Sequence, residues 1–137
     1  MANVESLWRS NYFKVKDNDT FKASMQRIDG LEAEHRTPDD TWCLCCLGHD
    51  SGGIPTEYED DGGDLVEIEL EAEVAKHLAD GEVAVFVEIS SMKLCSLSGR
   101  AVAINAAGRT ANVDLAEIYA KAQVLAGPGK SVSVAEY

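Results

Sequence analysis

The stretch Val83-Ala84-Val85-Phe86-Val87-Glu88-Ile89 constrains the fold of this chain more than any other. It is rich in β-branched residues and apolar on both faces for most of its length, the pattern of a strand at the centre of a sheet. The remaining segments must supply that strand with neighbours.

Several do. Asn11-Tyr12-Phe13-Lys14-Val15-Lys16 alternates apolar with polar residues and predicts a first strand, with residues 1–10 as a loosely attached lead-in. Asp17 or Asp19 can cap a helix in which Phe21, Met25 and Ile28 form one stripe, and Gly30 stands where a terminating glycine belongs. Leu31 to Arg36 is a weaker strand candidate. Thr37-Pro38-Asp39-Asp40 is a turn by composition, and Thr41 to Leu47 reads as its partner in a hairpin. Val66, Ile68 and Leu70 alternate with glutamates, which predicts a strand to about residue 70, then a short helix stopped by Asp80-Gly81. Gly99 to Asn105 and Arg109 to Val113 flank a short loop ending in Gly108. Asp114 opens a capping box for a helix with the stripe Leu115, Ile118, Ala122 and Leu125, ended by Gly127-Pro128-Gly129, and residues 130–137 add an edge strand or fray. The 137-residue chain is thus expected to be one α+β domain, a mostly antiparallel sheet with two to three short helices on one face.

Charge is distributed unevenly along this framework. Asp50 to Glu73 holds ten carboxylates without a Lys or Arg, whereas the other 113 residues carry 14 acids against 12 bases. The acidity is therefore local. A balance of this sign disfavours direct nucleic-acid binding, which needs cations to displace counterions, and favours a basic partner. No apolar run is long enough for a bilayer and the N-terminus has no signal-peptide pattern, so a cytoplasmic protein is expected. Reduced thiols are expected there, because Cys43, Cys45 and Cys46 crowd one strand and leave Cys95 apart.

Cys43, Cys45, Cys46 and His49 offer zinc ligands in number, yet their spacing is that of a strand and not of a turn-borne knuckle. They read as packed thiols, with no metal. Asp60, Asp61 and Asp64 suggest a calcium loop, but with Asp60 at the first position Leu65 falls where glycine is required. His77 reads as a surface residue. No hydrolase or phosphate-loop motif is present in the sequence, so neither catalysis nor a cofactor is expected. The candidate partner-binding residues are Glu57, Glu59, Asp60, Asp61, Asp64, Glu67, Glu69, Glu71 and Glu73. Within them, residues 50–64 read as a loop without fixed charge spacing, and Glu67, Glu69 and Glu71 as an exposed row on a strand. Two other readings stand beside this one: a solvated acidic loop that only discourages edge pairing, and a small hydrolase built around Cys43 to His49.

The stretches Asn11 to Asp17, His77 to Val85 and Val113 to Tyr119 together resemble a family of small acidic proteins carried by plasmids, phages and integrative elements. The resemblance implies a genomic setting and no catalytic residues. Accessory proteins of that setting include anti-restriction and anti-CRISPR inhibitors. The expected function is therefore a non-enzymatic inhibitor that imitates nucleic acid and occupies a basic surface on a host protein or nucleoprotein complex.

Overall fold

The computed structural model describes residues 4–46, 53–92 and 96–135. His49, Asp50 and Cys95 lie outside the described residues. In chain order the strands are Val4–Ser10 (β1), Leu31–Arg36 (β2), Thr41–Cys46 (β3), Glu57–Glu59 (β4), Leu65–Glu67 (β5), Val83–Met92 (β6), Ser96–Asn105 (β7) and Thr110–Asp114 (β8). The helices are Asn18–Gln26 (α1), Leu70–Ala75 (α2) and Ile118–Ala126 (α3), the last preceded by a 3-10 turn at Leu115–Glu117. The fold is α+β. Among the described residues, six strands form an antiparallel sheet in the order β2-β3-β1-β6-β7-β8, and β4 pairs with β5 in a separate hairpin.

As its composition requires, β6 is interior, flanked by β1 and β7. Its alternate residues Ala84 and Phe86 are buried, and they share the face of Trp8, Leu44 and Ile104 that α1 and α2 cover. Phe21 and Met25 on α1 and Leu70 and Val74 on α2 close that core. Asp17 caps α1 by accepting from the Thr20 amide at 3.0 Å. The β2–β3 hairpin forms as read, and in its turn the Arg36 guanidinium draws the Asp39 carboxyl down to about 2. Asn105 and Arg109 close the loop before β8 through a 3.1 Å backbone bond, with Gly108 at φ 83°.

Three expectations need correcting. The first strand is Val4–Ser10, inside the supposed lead-in, and Asn11–Lys16 makes only isolated bridges, Phe13 to Trp42 and Val15 to Leu78. The inward face of β1 is Ser6, Trp8 and Ser10, so its hydropathy runs opposite to the usual alternation. Bonding makes this tolerable: the Ser10 hydroxyl donates to Asn11 O at 2.7 Å and accepts from the Leu44 amide at 2.8 Å. Second, the strand expected to reach residue 70 stops at Glu67, and α2 ends at Ala75, short of Asp80. Third, Leu115, Ile118 and Leu125 are not a buried stripe, since no residue of the 3-10 turn or of α3 is buried. The segment 127–135 adds no strand.

Candidate functional site

The acidic hairpin is fastened to the body by its apolar residues. Tyr58 and Ile68 pack against the core, and the Ile68 amide donates to Thr56 O at 2.8 Å. The turn is closed by Asp60, whose Oδ1 accepts from the Gly62 and Asp64 amides at 3.0 and 2.9 Å. Asp60 N donates to Asp64 O at 2.8 Å, and Gly63 takes φ 83°. Residues 57–67 are consequently a built hairpin and not a loop of unfixed spacing. Its register sets Glu57 directly across from Glu67 and Glu59 across from Leu65. With Tyr58 and Val66 turned toward the body, Glu57, Glu59 and Glu67 share the outward face.

The nine candidate acids divide by what each one touches. Asp60 builds the turn. Asp61 lies 3.6 Å from the Arg27 guanidinium with its side chain 96% exposed, so that pair contributes little. Glu71 and Glu73 do not extend a strand row, because both lie on α2. Glu71 sits 3.6 Å from Arg100, and Glu73 pairs with Lys76 at 3.1 Å and faces His77 at 4.0 Å. Glu57, Glu59, Asp64, Glu67 and Glu69 are exposed and have no ion-pair partner among the described residues. Of these, Glu57, Glu67 and Glu69 line a shallow cleft with Thr56 and Ile68. A charge surface thus exists, narrower than the sequence suggested and centred on β4 and β5.

The cysteines are positioned differently. Cys43 is buried. Its thiol donates to Ser10 O at 3.3 Å and lies 3.4 Å from the Arg9 guanidinium. Strand alternation turns Cys43 and Cys45 to one face and Cys46 to the other. Burial is the main cause that pushes the Cys45 thiol up, assisted by the nearby Glu32 carboxylate. Among the described residues no group of three or more His, Cys, Asp or Glu side chains is arranged to hold a metal ion.

His77 is not the surface residue expected. Its ring meets the Phe21 ring at 5.6 Å, and its side chain is 16% exposed. Burial, more than any charge, pulls its pKa below the ordinary 6.5, because the protonated ring would lose water. The unfolded chain then binds this proton at a higher pH than the folded one. Stability from His77 is fully present above about pH 6.5 and is lost as pH falls through the lower folded value. Urea midpoints measured at pH 7.5 and 5.5 should therefore drop for the wild type, and drop less for His77→Gln. An equal fall in both proteins would show that His77 is not responsible.

Sequence reasoning also missed the cation at the other end of Glu71. Arg100 on β7 donates to Glu88 at 2.9 Å, and the second Glu88 oxygen accepts from the Ile54 amide at 2.9 Å. Gly53, at φ 97°, allows this approach, since a Cβ there would stand 2.8 Å from Glu88 Oε2. No sequence signal joins residues 53, 71, 88 and 100. Among the described residues, no helix is long and apolar enough to cross a membrane. Comparison of the chain with protein-family models, with curated proteins and with solved structures found no match.

Proposed function

We propose that this chain is a non-enzymatic acidic binding protein of the cytoplasm, a mobile-element inhibitor that occupies a basic nucleic-acid-binding surface on a host protein. The observation that carries the reading is the opposition of Glu57 and Glu67 in a fixed antiparallel register, with Glu59 and Glu69 beside them. Like charges held directly opposite each other oppose folding. Two carboxylates about 6 Å apart repel by roughly 0.7 kcal/mol even at the dielectric of water. A hairpin anchored by Tyr58 and Ile68 accepts that repulsion and holds its negative charge at spacings set by the backbone. A basic channel that neutralises these groups would turn the same repulsion into affinity and would lose its own nucleic acid in exchange. The resemblance to small acidic proteins of mobile elements agrees with this reading.

The test is a triple reversal, Glu57→Lys with Glu67→Lys and Glu69→Lys, beside the wild type in affinity capture from host extract. The expected result is a basic protein retained only by the wild type, released by added duplex and by raising salt from about 50 to 200 mM. Retention by the reversed variant, or a partner that nucleic acid does not displace, would refute the proposal.

A further inference from the structure

The sheet ends on β2, whose outer side pairs with no strand among the described residues. The neighbouring strand fixes where its bonding groups point. Phe13 and Trp42 exchange both backbone hydrogen bonds, at 2.9 and 2.8 Å, so Trp42 turns its amide and carbonyl away from β2. Ladder bonds alternate along an antiparallel pair, so β3 bonds to β2 through Thr41, Cys43 and Cys45, opposite Arg36, Glu34 and Glu32. Leu31, Ala33 and His35 therefore aim their amides and carbonyls at the free edge. None of the three forms another backbone bond among the described residues. Nothing in the strand blunts that edge either, because β2 contains no proline and its register with β3 runs without a bulge.

A groove follows the same edge. Lys22, Met25 and Gln26 of α1 stand on one side and Leu31 and Ala33 of β2 on the other, with Trp42 between them, around a space of about 320 Å³. Met25, Leu31 and Trp42 are buried and give it an apolar floor, whereas Lys22 and Gln26 are exposed at its rim. A helix beside an open edge strand suits an extended peptide: main-chain bonds to the edge supply affinity, and alternate side chains enter the groove. At the other end of the sheet none of the five residues of β8 is buried, so that edge has no such floor.

Charge selects the occupant. Leu31, Ala33 and His35 face the helices, and Glu32 and Glu34 are exposed on the opposite, open sheet face, which also carries Leu7, Val87 and Ile89. Neither glutamate has an ion-pair partner among the described residues. The nearby cations are engaged elsewhere, Arg36 by Asp39 and Arg9 against Cys43. A second copy of this chain fits poorly. Two β2 strands paired about Ala33 would set Glu32 of each opposite Glu34 of the other, and like charges directly opposite destabilise a sheet. A strand with lysine or arginine at alternate positions instead meets both glutamates, and small apolar side chains between them enter the groove.

We propose that β2 is a docking edge for an extended basic segment of another protein, which joins the sheet antiparallel, the sense of every pair already in it. The basic side chains of that segment lie on Glu32 and Glu34 and its apolar ones lie against α1. This site does not depend on the reading of the β4–β5 hairpin, which offers carboxylates and not a main-chain edge.

The probe is a blocked peptide of alternating lysine and valine, six residues long like β2, with amide hydrogen exchange of the full chain followed by NMR. At about ten times its dissociation constant the peptide should slow the Leu31, Ala33 and His35 amides about tenfold. Glu32→Lys with Glu34→Lys should raise that constant at least about tenfold. Both glutamates are exposed, so this variant keeps the fold, as an unchanged urea midpoint verifies. Reversal of Glu57, Glu67 and Glu69 to lysine should leave the slowing at β2 unchanged, which separates this edge from the hairpin. A peptide N-methylated at its valines keeps its charge but loses the donors that face β2, and should protect none of the three amides. Equal protection by the methylated peptide, or slowing confined to the hairpin amides, would overturn the proposal. So would three amides already slow without peptide at about 100 μM chain, since a second copy would then hold the edge.

Discussion

Replacing Phe21 with alanine is expected to destabilise the protein by about 3–5 kcal/mol, a large part of the ~5–15 kcal/mol that holds a domain folded. The ring is fully buried and joins three segments distant in sequence. It stands edge-on to Phe13 at 5.8 Å, to Trp42 at 5.2 Å and to His77 at 5.6 Å. These contacts tie α1 to β3, to the bridging segment before α1 and to the turn after α2. Truncation removes the transfer free energy of the ring and leaves a cavity that three aromatic neighbours cannot fill without leaving their own contacts. Aromatic pairs add about 0.5–1.5 kcal/mol beyond burial, so Phe21→Leu should also cost measurably, though less than alanine. Urea unfolding at pH 7.5 would show a lowered midpoint at unchanged slope. A loss below about 1 kcal/mol would mean that this ring does not organise the core.

The same residue marks where the sequence is readable. Phe21, Met25 and Ile28 recur at helical spacing behind Asp17, and the structure buries all three and caps the helix at Asp17. The β2–β3 hairpin and the Asn105–Arg109 turn are legible for a like reason, because local residue preference and tertiary role agree. In β1 they disagree. Ser6 and Ser10 face inward because the rest of the molecule satisfies their hydroxyls, and no pattern within seven residues announces a partner such as Leu44.

The acidic segment was half legible. Glu57, Glu59, Glu67 and Glu69 are exposed as expected. Beyond them two periodicities overlap: Val66, Ile68 and Leu70 suit a strand, whereas Leu70, Val74 and Leu78 suit a helix. The helix takes Leu70, which with Val74 becomes fully buried on α2, and Leu78 is fully buried just beyond its end, whereas Val66 and Ile68 stay partly covered. Glu71 and Glu73 follow it onto α2 and leave the outward row. The open sheet face was legible in another way, since a strand apolar on both sides states that both sides will be covered without saying by what.

Arg100→Met is expected to cost about 2 kcal/mol, less than the ~3–5 kcal/mol for breaking a fully buried ion pair because the Arg100 side chain is 45% exposed. The carboxylates it serves are better shielded, at 18% for Glu71 and 19% for Glu88. Without the guanidinium, Glu71 on α2 and Glu88 on β6 are left with no ion-pair partner among the described residues. Glu88 would keep the Ile54 amide, whereas Glu71 would lose its ion-pair partner among the described residues, so the α2 side of the contact should loosen first. A double-mutant cycle with Glu88→Gln isolates the pair. A coupling of about 1–2 kcal/mol is expected, and one below about 0.3 kcal/mol would show that Arg100 acts through its alkyl chain alone. Binding provides the sharper contrast. Arg100 pairs with the shielded Glu71 and Glu88 and leaves Glu57 and Glu67 unneutralised on the hairpin, so one cation divides structural acids from presented ones. Removing it exposes an additional negative charge, and a partner that reads the hairpin electrostatically should be held as tightly as before or more tightly, even as the fold weakens.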